Sequence, residues 1–158
     1  MPLEIEHKFL VKGCFNSYVT RSTRIVQGYL SSLKERTVRV RIYGDRAYFT
    51  VKGPTRSDGL TRYEFEQEIP LAEAEQMLQL CCEPGIIEKV RHIVPYAGHV
   101  WEIDEFRGDN VGLILAEIEV QSADETFEIP PFVGKEVTGN EKYYNSYLSN
   151  HPFTEWNR

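Results

Sequence analysis

Like-charged residues recur at every second position along this chain, the spacing at which side chains of an extended strand share one face. Glu4, Glu6 and Lys8 form the first set, and Arg39 with Arg41, then Lys52, Glu64 with Glu66, Lys89 with Arg91, Glu102 with Asp104, and Glu117 with Glu119 follow. A solvated sheet face is the ordinary reading of one such alternation. A wet face, however, tolerates Ser, Thr, Gln, Asn and Lys in loose mixture, whereas these pairs are nearly pure acid or nearly pure base, strand by strand. Segregation of that kind suggests a ligand. Lys8, Arg39, Arg41, Lys52, Lys89 and Arg91 could neutralise a polyanion, Arg gripping phosphate oxygens bidentately and Lys acting as a point charge. The carboxylates would repel the same anion unless hard divalent cations lay between them. Oxygen-only donors with no paired His or Cys favour Mg2+ or Mn2+ over Zn2+, and Mg2+ bridges carboxylates to substrate phosphates. Polyphosphate plus metal is therefore the leading reading, with a solvated sandwich as its alternative.

The elements that must position these groups are mostly strands. Segments such as "EIEHKFLVKG", "RIVQGYLSS", "RTVRVRIYG", "RAYFTVKGP", "TRYEFEQEIP", "GIIEKVRHIVPY", "HVWEIDEFRG" and "LILAEIEVQS" alternate with period two, most of them bounded by turn residues. About eight strands are expected, mainly antiparallel. Only "IIEKVRHIV" is untidy, since Lys89 and Arg91 share a face with Ile87 and Ile93. Two stretches carry a helical period. In "PLAEAEQMLQLCCEPG", Leu71, Ala74, Met77, Leu78 and Cys81 form a stripe, with Pro70 at the start and Pro84-Gly85 as the stop. In "GNEKYYNSYLSNHP", Tyr143, Tyr144, Tyr147 and Leu148 stripe a short helix ending by Pro152. Many strands with few helices suggest a barrel or a strongly curved sheet. Period alone leaves open whether the charged faces point outward or line a wide interior.

The totals are consistent with one domain over 1–158. A net charge of −6 argues against a nucleic-acid or membrane binder that works through a basic surface, and says nothing against a buried basic pocket. No apolar stretch approaches a membrane span of about 20 residues, and the amino terminus has no signal-like pattern, so cytoplasmic residence is expected. Cys81 and Cys82 are expected to be buried reduced thiols. His7, His92, His99 and His151 show no metal-ligand pairing.

The ordered set of motifs resembles the CYTH superfamily, the triphosphate tunnel metalloenzymes. Glu4, Glu6 and Lys8 match its ExExK signature. Then follow "QGYL" at 27–30, RxR at Arg39/Arg41, "TVKG" at 50–53, "YEFEQEIP" at 63–70, KxR at Lys89/Arg91, "WEIDEF" at 101–106, "AEIEV" at 116–120 and "GKEVTGNEKYYN" at 134–145. The match runs over nearly the whole chain and is most similar to short bacterial inorganic triphosphatases. The segment "CFNSYVTRST" is short where longer relatives carry a fuller helix, and Glu141 stands where the loop is often basic or neutral.

The resemblance implies an eight-stranded antiparallel β-barrel tunnel with a charged interior and a few flanking helices. It implies that Glu4, Glu6, Glu117 and Glu119 hold divalent metal, with Asp104 and Glu102 as nearby or water-mediated ligands. Lys8, Arg39, Arg41, Lys52, Lys89 and Arg91 would bind triphosphate oxygens, with Lys135 and Lys142 as further candidates. Glu64 and Glu66 would be ligands or would orient the arginines. The implied activity is hydrolysis of inorganic triphosphate to diphosphate and phosphate with Mg2+ or Mn2+, two ions being expected with substrate bound. Glu4, Glu6, Lys8, Glu117 and Glu119 would form the catalytic group. Adenylate cyclase and thiamine or nucleoside triphosphatase are alternatives on the same fold, and a non-catalytic polyphosphate binder is the alternative of another class. A homodimer would fit, and neither nucleic acid nor membrane is expected as a partner.

Overall fold

The structure is a computed structural model that describes residues 5–57 and 62–156. Glu4 lies outside the described residues, so its expected part in the site has no structural counterpart here. The period-two segments form strands β1 (Ile5–Val11), β2 (Arg21–Leu33), β3 (Arg36–Tyr43), β4 (Arg46–Thr55), β5 (Arg62–Ile69), β6 (Ile87–Tyr96), β7 (His99–Phe106) and β8 (Ile114–Val120). A ninth strand not expected from the sequence, β9 (Val133–Glu136), is too short to show its own alternation. All nine belong to one antiparallel sheet in the order β5-β4-β3-β2-β6-β7-β8-β1-β9.

The expected class, a mainly antiparallel β tunnel with few helices, is the one observed, with nine strands where eight were expected and no closure by hydrogen bonding among the described residues. Closure would require β5 to pair with β1, but β1 uses one edge for β8 and the other for β9. The sheet is therefore open by hydrogen bonding and curled by shape, since side chains from β1 and from β3 to β8 line a single cavity. The chain after β9 makes the remaining connections. It crosses to the β2–β3 hairpin, where Lys34 Nζ donates to Glu141 at 2.7 Å and Asn150 Nδ2 donates to Ser32 Oγ at 3.3 Å.

Two apolar clusters support the sheet from opposite faces. On the convex face Phe9, Trp101, Ile103, Ala116, Ile118 and Phe132 pack together with their neighbours. The second cluster, Ile87, Phe106, Leu113, Leu115, Val137 and Leu148, lies at one end of the concave face. Register explains this. Leu10 opposes Leu115 one pleat beyond Lys8 opposing Glu117, and Phe106 opposes Lys89, so the charged face turns apolar along the strands. The mixed pattern of β6 follows, because Ile87 belongs to the apolar end and Lys89 and Arg91 to the charged part.

Helix α1 (Leu71–Leu80) begins after Pro70, whose carbonyl accepts from Glu73 and Ala74. Of its expected stripe only Ala74 is fully buried, and Met77 and Leu78 are half-buried. The expected burial of both cysteines is corrected accordingly. Cys81, just past the helix, is exposed, while Cys82 is partly buried against Gly28, and burial raises its thiol pKa. The carboxy-terminal helical stretch splits into a 3-10 turn at Glu141–Tyr143 and α2 (Asn145–Asn150), with Tyr144 extended between them. Leu148 anchors α2 in the concave-face cluster. Among the described residues no helix is long and apolar enough to cross a membrane.

Gly85 joins α1 to β6 at a close approach to α2. Its φ is +95°, and a Cβ there would overlap the Ser149 carbonyl oxygen. Gly85→Ala is expected to cost roughly 2–4 kcal/mol through left-handed strain and displacement of α2. Gly98→Ala, at φ +82° with nothing near the added methyl, should cost only about 1 kcal/mol. Denaturant unfolding of the two variants checks the difference.

Candidate active site

A cavity of about 400 Å3 opens on the concave face. All six expected cations, Lys8, Arg39, Arg41, Lys52, Lys89 and Arg91, line it, as do Glu6, Glu64, Glu102, Glu117 and Glu119. Their arrangement follows sheet order and not chain order. Basic side chains come from β4, β3 and β6, with β2 between them, and most carboxylates come from the contiguous β7, β8 and β1, with Glu64 on β5 beside the basic strands as the exception. Lys8 is the cation set among the acids. Its ammonium lies 3.7 Å from Glu117, donates to the Tyr143 carbonyl at 3.1 Å and sits 5.3 Å above the Tyr144 ring. The segment after β9 thus fixes a side chain of β1.

Asp104 stands buried behind the cavity wall, whereas Glu66, also outside the lining, is exposed. Asp104 is 1% exposed and accepts from Lys89 Nζ at 2.7 Å and from Arg91 Nε and Nη2 at 2.8 and 2.9 Å. Both carboxylate oxygens are therefore engaged by cations. Burial works to raise the Asp104 pKa, but Lys89 and Arg91 outweigh it and hold the group well below the usual carboxylate range. Burial lowers the Lys89 pKa to about 8 despite the Asp104 carboxylate. Glu66 Oε1 is 3.9 Å from Arg39 and accepts from Thr50 Oγ1 at 2.9 Å, and Glu64 is 3.8 Å from Lys52.

Two carboxylates have shifts of opposite sign. Burial raises the Glu102 pKa, with Asp104 and Glu117 adding to it, although Arg91 lies 3.4 Å away. Burial also acts to raise Glu117, but Lys8, helped by Lys89 and Arg91, lowers it overall. Glu117 is thus held ionised at the middle of the acidic wall.

The two further candidate lysines are placed elsewhere. Lys135 is exposed on β9, and Lys142 lies beside a separate pocket with its ammonium 5.5 Å above the Trp156 ring. Side chains that charge patterning passes over also border the site. Asn145 lines the cavity, Thr50 links Arg39 to Glu66, and Tyr29 is buried beside Arg39 with its pKa raised by burial. Being neutral, they leave no trace in a search for like-charged pairs. Only their place in the ordered motifs "YYN", "TVKG" and "QGYL" could have singled them out.

Comparison with known proteins agrees with this geometry. The chain is 42% identical to an inorganic triphosphatase of Acetivibrio thermocellus over 97% of both chains. It is 34% identical to one of Nitrosomonas europaea, covering 92% of this chain and 96% of the relative. The crystal structure of an inorganic triphosphatase superposes with a TM-score of 0.71 at 30% identity, covering 94% of this chain and 95% of the other. The CYTH domain model matches residues 2–150, and with the open curled sheet and the two-signed cavity this establishes that the chain belongs to the CYTH family.

Proposed function

We propose that the chain is a metal-dependent hydrolase that cleaves inorganic triphosphate to diphosphate and phosphate. The observation that carries this reading is the division of one small cavity between six cations and a contiguous wall of carboxylates. A pure anion binder gains nothing from the carboxylates, since they repel its ligand. The volume suits a short linear polyphosphate, being near the lower end for small-molecule sites. The names of the two relatives support the same substrate.

The donor chemistry fits a hard divalent ion. Glu6 opposes Glu119 across β1 and β8, and Glu102 opposes Glu117 across β7 and β8, arrangements that destabilise a sheet unless positive charge lies near. Among the described residues no three acidic, histidine or cysteine side chains converge as a ready metal cage. Holding by one or two carboxylates, with phosphate oxygens and water completing the shell, is the manner of Mg2+ and of similar ions such as Mn2+. Glu6, Glu117 and Glu119, joined by Glu4, would hold up to two such ions, and Asp104 would border them while orienting Lys89 and Arg91. When bound, the metal supplies positive charge to the phosphate oxygens and makes a neighbouring water more acidic.

The chain's own groups do the rest. Arg39, Arg41, Lys52, Lys89 and Arg91 bind the phosphate oxygens and hold the triphosphate extended along the basic wall. Water adds in line to the terminal phosphorus as its bond to the bridging oxygen breaks, and the departing diphosphate keeps its charge against these cations. Lys8, fixed between Glu117 and Tyr143, sets a positive charge within the acidic wall and offsets charge on the transferring group.

The test is phosphate release from tripolyphosphate with Mg2+ or Mn2+. Wild-type protein should release one phosphate per triphosphate and require the metal. No release from any triphosphate would remove the hydrolase reading and leave a binder, and cyclic AMP formed from ATP faster than phosphate would favour the cyclase.

A further inference from the structure

Arg41 differs from every other cation of the cavity. Lys8, Arg39, Lys52, Lys89 and Arg91 each have a carboxylate within ion-pair distance, and Arg41 has none among the described residues. Its Nε also has no hydrogen-bond partner among them. Burial, with Arg39 and Arg91 as neighbours, lowers its pKa to about 10.

The residue directly across from Arg41 on β2 is Gln27, flanked on its other side by Ile87. Residues opposed in this way point to the same face with their Cβ atoms about 5 Å apart. Gln27 is completely buried, does not line the cavity, and neither its amide oxygen nor its amide nitrogen has a partner among the described residues. A buried carboxamide without partners is costly, and an apolar residue would pack beside Ile25 and Ile87 without that cost. The cost sits next to the cavity guanidinium that has no ion pair among the described residues.

We propose that Gln27 is the positioning residue for Arg41. Its amide oxygen accepts the guanidinium Nε hydrogen when an anion draws Arg41 forward, which leaves the terminal nitrogens for phosphate oxygens. Its neutrality matters equally. A carboxylate at this position would pair with Arg41 and cancel the positive charge that the anion needs. The inference rests on the reading of the cavity as a triphosphate site, and it adds to that reading a specific uncharged residue behind the wall.

Gln27→Glu and Gln27→Met test the two halves. Gln27→Glu should raise the melting midpoint of the ligand-free protein and raise the KM for triphosphate about tenfold or more, with a smaller change in kcat. Gln27→Met should leave the midpoint unchanged or higher and raise KM by roughly three- to tenfold. Calorimetric titration of chelator-treated protein with tripolyphosphate should show parallel weakening of Kd. That measurement involves no turnover, so it separates failure of this inference from failure of the hydrolase reading. Wild-type KM and Kd in both variants would overturn the proposal, as would affinity falling only in step with a loss of fold stability.

Discussion

Glu117→Gln will reduce phosphate release from triphosphate by about a hundred- to a thousandfold while leaving the fold intact. The amide keeps the shape of the side chain and removes its charge. Glu117 is 9% exposed and central to the acidic wall, opposing Lys8 on β1 and Glu102 on β7. Lys8 loses an ion pair but keeps the Tyr143 carbonyl and the Tyr144 ring, so the cation should stay in place. The loss will therefore come from weaker metal holding and from poorer stabilisation of the transferring phosphoryl. Initial rates across a Mg2+ and Mn2+ titration, with melting midpoints alongside, give the measurement. A variant that retains more than about a tenth of wild-type activity would remove the β8 carboxylate from the metal face.

Asp104→Asn is expected to cost about 3–5 kcal/mol of stability, a fall of roughly 10 °C in melting midpoint. Asp104 is the shared counter-ion of Lys89 and Arg91, and the Lys89 and Asp104 side chains are almost wholly buried. Removing the negative charge leaves Lys89 without a carboxylate in a medium that solvates it poorly and leaves Arg91 with Glu102 alone at 3.4 Å. Adding Lys89→Met to Asp104→Asn should recover part of the loss, because the stranded ammonium is then gone.

Acid dependence gives a second reading of the same group. The folded pKa of Asp104 lies below its ordinary value of 3.8, so between these two values the unfolded chain binds more protons than the folded one. Its stabilisation is fully present above about pH 4 and is lost as the pH falls through the folded pKa. Glu117, lowered from 4.5, acts in the same sense. Asp104→Asn should therefore flatten the acid limb of a stability-versus-pH curve, and equal slopes in variant and wild type would show that the carboxylate does not carry it.

Much of the site was legible in the sequence because strand geometry is local. A period of two places Arg39 with Arg41, Lys89 with Arg91, and Glu117 with Glu119 on common faces whatever the strands pair with. The motif order identified the inward face, and all six expected cations line the cavity. Other features depended on neighbours that the period does not name. Glu102 and Asp104 look equivalent in the sequence, but β6 places Arg91 and Lys89 so that both grip Asp104 and leave Glu102 on the wall. Lys135 and Lys142 carried suitable charge, but β9 and the turn after it place them outside the cavity.

The sequence by itself determined eight of the nine strands, the charged face of each, and a set of acids and bases of the kind a polyanion with a divalent metal would need. The tertiary structure decided the order of those faces around the cavity. Pairing between distant segments gathers β4, β3 and β6 into a basic wall and β7, β8 and β1 into an acidic one. It gives the free edge of β1 to β9, which keeps the sheet from closing through β5. It also sets a neutral Gln27 opposite Arg41. Such outcomes rest on edge-to-edge hydrogen bonding and register between residues far apart in the chain, and no local period encodes which strand becomes whose neighbour.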